Sequence, residues 1–419
     1  MANVLVIGYV WPEPNSSAAG KRILQILEYF TSNDYRVIFT TTAAPSEKMV
    51  NLEELGISSE KIQLNNSSFN EFILDLKPEI VLFDRFMMEE QFGWRVSQYS
   101  PKSIKILDTE DLHFLRNFRG EKNIEKGSIK NSELAKREIA SIYRCDLTLI
   151  ISEEEMKLLS NEFNIQNNLL LYLPFLMVPT SDKKTLPTFE ERKHFISIGN
   201  FKHRPNVDAV NNLKKEIWPL IRKVLPEAEL HIYGAYPTQG ILQLNNSKEN
   251  FLVKGWAANA EEVVKNARVS LASIQFGAGL KGKLAEAMQC GTPNVTTSLG
   301  AEGMNGNLPW SGYIADTPKE FAKAAVALYN NKEVWLNFQE KGFTIIEERF
   351  KKETFQTIFK KRLKEIASNI SAHRETNFIG SMLMHHSLKS TQHLSKYIQI
   401  KNELERLRSD ISQQDFSKN

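Results

Sequence analysis

The chain of 419 residues has only two cysteines, Cys145 and Cys290, so no disulfide framework holds it together and a reducing compartment suits it better than a secreted one. Zinc-type Cys/His spacing is also missing: the eight histidines are scattered, and the adjacent His385 and His386 have no cysteine near them. No window approaches the roughly 18–20 uninterrupted apolar residues that a membrane-spanning helix needs. The opening Met1-Ala2-Asn3-Val4-Leu5-Val6-Ile7-Gly8 sets no basic segment before its short apolar stretch, which argues against a secretory leader. Charge of one sign is scarce as well. With 53 basic and 50 acidic residues the formal net charge is +3, too balanced to point to nucleic acid. Together these absences lead us to expect a cytoplasmic protein that does not span a membrane, while peripheral contact with a membrane surface stays compatible with them.

Hydrophobic content of 42% and charged content of 25% are those of a globular protein, and the length exceeds one ordinary core. Residues 3–7, 36–41, 80–83, 104–108 and 146–151 read as short β-rich strands, with Lys61 to Leu64 a weaker one. They alternate with helical periodicity over 19–31, 132–143 and 153–162. That alternation predicts an α/β, doubly wound parallel sheet. Pro174 to Phe189, rich in Pro, Ser and Thr, reads as a linker. The pattern then restarts. Strands at 195–198, 229–233, 251–254, 269–274, 293–297 and 312–314 alternate with helices at 206–224, 259–267, 281–290, 317–330 and 332–348. We therefore expect domains at 1–185 and 190–350, facing each other across a cleft, with a helical crossover and tail at 351–419. Within the tail, Thr354 to Asn369 suits a return to the first domain. Asn377 to Arg408 places Ile379, Met382, Leu383, Leu394, Tyr397 and Ile398 at a spacing that suits packing on the body or on a partner. The last ten residues are polar and read as frayed.

The most informative stretch is Phe276-Gly277-Ala278-Gly279-Leu280-Lys281-Gly282-Lys283-Leu284-Ala285-Glu286. A strand feeds a glycine-rich loop, and the loop opens a helix. Two lysines at a helix start oppose the helix dipole, at a cost of roughly 0.3–1 kcal/mol each. An anion bound there reverses the sign, because free N–H groups and ammonium groups share it. Lys283 and Glu286 lie three apart, on one helical face. A cation for phosphate beside a carboxylate for hydroxyls is what a nucleotide-sugar site requires; the alternative is a solvated lysine pair. A magnesium-dependent phosphate loop does not fit, since Leu284 stands where Ser or Thr must hold the metal. A dinucleotide-binding oxidoreductase fits no better, because Gly8 is the lone glycine before Gly20 after the first strand.

This window, the preceding Lys254-Gly255-Trp256, the following Gly300-Ala301-Glu302-Gly303-Met304, the run Gly199-Asn200-Phe201-Lys202-His203-Arg204-Pro205-Asn206 and Leu230-His231-Ile232-Tyr233-Gly234 resemble the carboxyl-terminal domain of family-4 (group 1) glycosyltransferases with the GT-B fold. The likeness is continuous from about 195 to 350 and mostly architectural over 1–185. It implies a retaining transfer of a sugar from a nucleotide-diphosphate donor to a glycan or lipid-linked acceptor, in surface polysaccharide assembly, with no metal and no further cofactor. It further implies that Lys202, Arg204, Gly279, Lys281 and Lys283 meet the donor diphosphate. Glu286 would hold the ribose hydroxyls, and Gly255 with Trp256 would border the base. The family often carries an earlier glutamate touching the donor sugar; here that position is Ala278.

In the first domain the loop Tyr9 to Gly20 is less standard. The resemblance gives Asn15, Ser16, Ser17 and Gly20 a place near the diphosphate or acceptor; a serine N-cap without ligand is the alternative. Asp108-Thr109-Glu110-Asp111-Leu112-His113 gathers ionisable groups at a strand's carboxyl end, and His113 with Asp111 are the candidates facing the acceptor, helix capping being the alternative. Lys283, His113 and Asp111 make up the expected catalytic set. Asp84-Arg85-Phe86 is a further candidate. Ser152-Glu153-Glu154 reads as an N-cap, and Cys290 as a small buried residue. A catalytically silent GT-B module that binds a glycan or a partner protein is the rival reading.

Overall fold

The computed structural model describes residues 2–121, 129–180 and 183–416, apart from the side chains of 184, 386–388 and 409–416. His386 of the histidine pair, part of the linker and the last three residues thus fall wholly or partly outside the described residues.

The first sheet has seven strands: β1 (Asn3–Gly8), β2 (Arg36–Thr41), β3 (Ser58–Lys61), β4 (Ile80–Asp84), β5 (Ile104–Asp108), β6 (Leu147–Ile150) and β7 (Leu170–Tyr172). They run in the order β3-β2-β1-β4-β5-β6-β7, and each pair is parallel. Alternation assigns Val4 and Val6 to one face and Leu5 and Ile7 to the other. Both sets are fully buried, in two separate core clusters, because helices cover both faces. The second sheet has six: β8 (Lys193–Ile198), β9 (Leu230–Tyr233), β10 (Phe251–Gly255), β11 (Ala267–Ala272), β12 (Asn294–Thr296) and β13 (Gly312–Ile314), ordered β10-β9-β8-β11-β12-β13. The order reverses at β1/β4 in one sheet and at β8/β11 in the other. Such switch points open a crevice at the strands' carboxyl ends, and the loops that matter below leave from there.

Three expectations need correction. The weak strand at 61–64 is displaced: the pairing segment is Ser58–Lys61, a polar edge strand on β2, and Leu64 beyond it is half exposed. The helix read over 206–224 is interrupted. It runs as Arg204–Asn212, a π turn at Leu213–Ile217 and Trp218–Val224. Pro219 has no N–H to close the regular ladder, and a widened turn absorbs the loss. The tail is not frayed through its last ten residues, since one helix spans Phe378–Phe416.

The chain crosses between domains twice, side by side. Met177 N–H donates to Phe350 O and Lys352 N–H donates to Met177 O, both at 2.8 Å. The helix Lys352–Ser368 then returns to the first domain, where Phe355, Phe359, Leu363 and Ile366 enter its core beside Tyr29 and Phe30. Their spacing of four, four and three makes one helical face.

Candidate active site

A cleft of about 720 Å³ lies between the two sheets, lined by loops from the carboxyl ends of β1, β4, β5, β8, β9 and β11. Asn15, Ser16, Ser17, Gly20, Asp111, His113, Lys202, Trp256, Lys281, Lys283 and Glu286 all line it. Arg204, Gly255 and Gly279 do not.

The helix Gly282–Gln289 begins in this cleft, and its N-cap residue Lys281 makes no side-chain cap bond. Lys283 Nζ reaches across to the helix Arg204–Asn212, where Asn206 Oδ1 accepts at 2.7 Å. Gly199 permits this approach, because a Cβ there would stand 2.8 Å from Lys283 Nζ. Burial drives the Lys283 ammonium down to about 8, with Glu286 opposing, so the group still carries its charge near neutral pH. Lys281 turns the other way: its Nζ donates to Gly279 O at 2.6 Å and braces the glycine loop from within. Burial lowers it too, against the pull of Glu302 and Glu155. Lys202 Nζ sits 3.6 Å above the Tyr236 ring at the cleft wall.

Glu286 forms an ion pair at 2.9 Å with Lys21, from the helix Ala18–Ser32 of the first domain. A ribose hydroxyl would have to share or displace that partner. Trp256 Nε1 donates to Asn15 O at 3.1 Å, and Tyr236 donates to the Glu13 carboxylate at 2.7 and 2.9 Å. The first-domain loop is therefore tied down onto the second domain. Two of its residues are structural in this conformation. Ser17 Oγ caps the helix by accepting from Gly20 N–H at 3.0 Å, and a Cβ on Gly20 would meet Glu13 O at 2.4 Å. Ser16 Oγ, by contrast, is buried without a partner.

Two of the residues placed at the diphosphate lie elsewhere. Arg204 points to the far end of the helix His113–Gly120, donating to Gly120 O at 3.3 Å with its guanidinium over Phe276. Gly279 gives its N–H to Glu155 Oε1 of the first domain at 2.8 Å, and a Cβ on it would press on Asp111. Its positive φ of 62° and that contact explain the glycine without any ligand. The same Glu155 oxygen accepts from Leu112 N–H at 3.0 Å, and burial pushes this carboxyl up to about 7.

Asp111 is held bidentately by Arg116. Burial works against the Asp111 carboxylate, yet Arg116, His113 and His203 outweigh it and keep it below the usual range. His113 lies 3.8 Å from Asp111, edge-on to Phe86. Burial, only partly countered by Asp111, drives His113 down to about 3, and a similar site takes His203 to about 4. Both imidazoles are neutral near pH 7. They offer hydrogen bonds, but a group so weakly basic deprotonates a hydroxyl poorly.

The sequence reading passed over Glu110. Its backbone sits at φ 64°, as Arg85 sits at 73°, and the two follow the adjacent strands β5 and β4. Non-glycine residues pay about 1–3 kcal/mol for such strained conformations, which cluster at functional sites. Glu110 Oε1 and Asp84 Oδ1 are buried without hydrogen-bond partners, and both residues line the cleft. Burial raises both carboxyls, Glu110 well above its ordinary value. Asp108, their neighbour, is taken by Arg22 at 2.7–3.1 Å and is structural. The excess of ionisable groups after β5 was the available signal; which of them stay unpaired depends on partners distant in sequence. Among the described residues no cluster of three or more His, Cys, Asp or Glu side chains is arranged to hold a metal ion, and no helix is long and apolar enough to cross a membrane.

Residues 192–331 match the family model described as glycosyl transferases group 1. No curated protein sequence matches the chain. Among solved structures, a mutant of TarM from S. aureus, in complex with Fondaparinux, alpha-GlcNAc-glycerol and UDP, superimposes at a TM-score of 0.65 with 11% identity, over 86% of this chain and 99% of that one. Sucrose-phosphate synthase from Thermosynechococcus elongatus gives 0.66 with 13% identity, over 88% and 100%. WaaG, a glycosyltransferase involved in lipopolysaccharide biosynthesis, gives 0.58 with 11% identity, over 83% and 95%. At these identities the likeness to solved structures is one of fold, and the family signature sits in the second domain. Residues 192–331 thus carry the signature of group 1 glycosyltransferases, and the chain as a whole has the GT-B fold.

Proposed function

We propose that this enzyme moves a hexose-type sugar from a nucleoside-diphosphate donor to a hydroxyl of a glycan or lipid-linked acceptor in surface polysaccharide assembly, with retention of configuration. The observation that carries the reading is the Lys283–Glu286 face of the helix Gly282–Gln289, charged on both counts and opening into the cleft. Lys283 would meet the diphosphate together with Lys202 and the first-turn amides, and Glu286 would exchange Lys21 for ribose hydroxyls. As the bond between the sugar carbon and the phosphate oxygen breaks, negative charge grows on the diphosphate. Fixed cations and amides held in the cleft stabilise that charge, so no metal is assigned this task. The acceptor oxygen bonds to the same carbon from the same face, and its proton passes to the departing phosphate oxygen. That route suits a site whose histidines are too weakly basic to take the proton themselves. Glu110, Asp84 and His113 would then orient the acceptor. TarM was captured with UDP and WaaG belongs to lipopolysaccharide synthesis, which supports this choice of donor and pathway class. A lipid-linked acceptor would bring the enzyme to the inner face of the cytoplasmic membrane as a peripheral protein.

The test uses purified protein and a panel of UDP-, GDP- and ADP-sugars. Slow donor hydrolysis is expected with one of them, and Glu286→Ala should lower it by at least about tenfold, the loss of one hydrogen bond to a charged group. UDP binding should collapse when Lys281 and Lys283 are both made alanine. Intact binding in that double variant would overturn the reading. Binding without turnover across the whole panel would favour the silent module instead.

A further inference from the structure

The last helix, Phe378–Phe416, has two different halves. Its first half lies on the first domain. Gly380 packs where a Cβ would come within 2.1 Å of Tyr143 O, Leu383 joins the core, and Ser395 accepts from Arg95 at 3.2 Å. Gln399 donates to Ser67 Oγ at 3.3 Å. Of the two expected ways of packing, Ile379, Met382, Leu394 and Tyr397 do not pack on the body: they are 45–65% exposed. Beyond Gln399 every described side chain, 400 to 408, is exposed. At 1.5 Å per residue the stretch 400–416 extends roughly 25 Å past the body.

Along it Tyr397, Ile400, Leu404 and Leu407 are 65, 57, 51 and 57% exposed. Their spacing of three, four and three is that of the a and d positions of a heptad. At 100° per residue, this stripe lies roughly 130° around the helix from Gln392, Ser395 and Gln399, the side that touches the body. Four large apolar side chains in a row, turned away from their own domain, mark an interaction surface.

We propose that the occupant is a second copy of this chain, its helix wound parallel to the first about a two-fold axis. The flanking charges choose both partner and direction. In a parallel pair Glu403, at position g, faces Arg408 of the partner subunit at the following e, and the two-fold makes this contact twice. In an antiparallel pair like meets like: Glu403 opposes Glu403, and Lys401 opposes Lys401 or Arg408. The other parallel pair, Lys396 with Lys401, is basic on both sides, and it falls nearest the body. Among the described residues Glu403 accepts from Gln399 of its own helix, at 3.0 Å, a contact it can leave to turn outward. A membrane surface fits less well, because Glu403 and Glu405 interrupt the basic residues that would face anionic headgroups. The seam covers about one and a half heptads, so association is reversible and depends on concentration.

Sedimentation velocity on the full chain tests this. The mass should rise with concentration from 48.0 kDa towards twice that value. Leu404→Ser with Leu407→Ser should leave a monomer at every concentration, with the thermal melt of the body unchanged because both positions are exposed. Glu403→Arg alone should weaken the dimer, and Glu403→Arg with Arg408→Glu should restore it. A monomer throughout, or a dimer that survives the two serines, would overturn the proposal. So would a dimer indifferent to Glu403→Arg. Binding of wild type to phosphatidylglycerol vesicles, lost in the two-serine variant, would make the membrane the occupant and overturn it as well.

Discussion

Glu110 and Asp84 show what the cleft demands of single residues. Each has a buried carboxyl oxygen that makes no hydrogen bond, and burial raises both. For a carboxyl raised in the fold, the stabilising neutral form is present at low pH and is lost as pH climbs through the folded value. Wild-type protein should therefore give up stability as pH rises above the ordinary carboxyl range, on account of Glu110. Glu110→Gln keeps the shape and cannot ionise. By differential scanning fluorimetry it should melt above wild type at pH 8 and close to it at pH 5. A variant that melts below wild type at pH 8 would show that an ionised Glu110, paired with Arg85, is what holds the loop. At this scale the sequence was informative about chemistry and poor about partners. Lys283 and Glu286 could be read because they share one helix. The Lys21 that meets Glu286, and the Glu155 that takes the Gly279 amide, come from the other domain and leave no local trace.

At the scale of elements, the central strands were legible because burial on both faces makes them runs of Val, Ile, Leu and Phe, as in Val4 to Ile7 and Ile80 to Phe83. The edges were not. Ser58–Lys61 is polar, since only one neighbour and little core constrain it. The helix Phe86–Tyr99 escaped because its buried face carries Glu89 and Arg95 among the apolar residues, with Arg144 paired to Glu89 across the packing. The helix Gly282–Gln289 was recognised, but not the reason for its first residue. A Cβ on Gly282 would lie 2.5 Å from the Ala18 Cβ at the start of the helix Ala18–Ser32. Two helices from opposite domains thus begin in contact, with the cleft between their loops. Gly282→Val should force them apart, leaving each domain folded. We expect unchanged circular dichroism, a larger radius of gyration by small-angle scattering, and UDP affinity down by about tenfold or more, since a displacement near 1 Å is enough to spoil a preorganised site. Full affinity with an unchanged radius would mean that the domains do not close on this contact.

At the scale of the molecule, the two domains are joined by more than the crossover. Arg119 holds Glu302 bidentately at 2.9 and 3.0 Å and Gly277 O at 3.0 Å, and Arg349 reaches Glu153 at 2.5 Å. All of these are partly exposed polar contacts, each worth little on its own. Apolar contact crosses between the domains as well, since Ile151 of the first shares a buried cluster with Leu280 and Met304 of the second, and a further apolar contribution comes from the returning helix. Phe359 is fully buried between Tyr29 and Phe30, with ring centroids at 4.7 and 5.9 Å, although its helix starts 175 positions after the crossover at Met177 and the second domain lies between. The first domain therefore completes its core with a helix that follows the whole second domain in the chain. Phe359→Ala should cost about 3–5 kcal/mol, the range for emptying a buried aromatic site, and the loss should fall on the first domain. Two calorimetric transitions are expected, of which only the first-domain one moves down. Added UDP should raise the other, because ligand binding stabilises the domain that holds it. If Phe359→Ala lowers both transitions together, the domains unfold as one unit, and the polar contacts across the cleft then contribute more than their exposure implies.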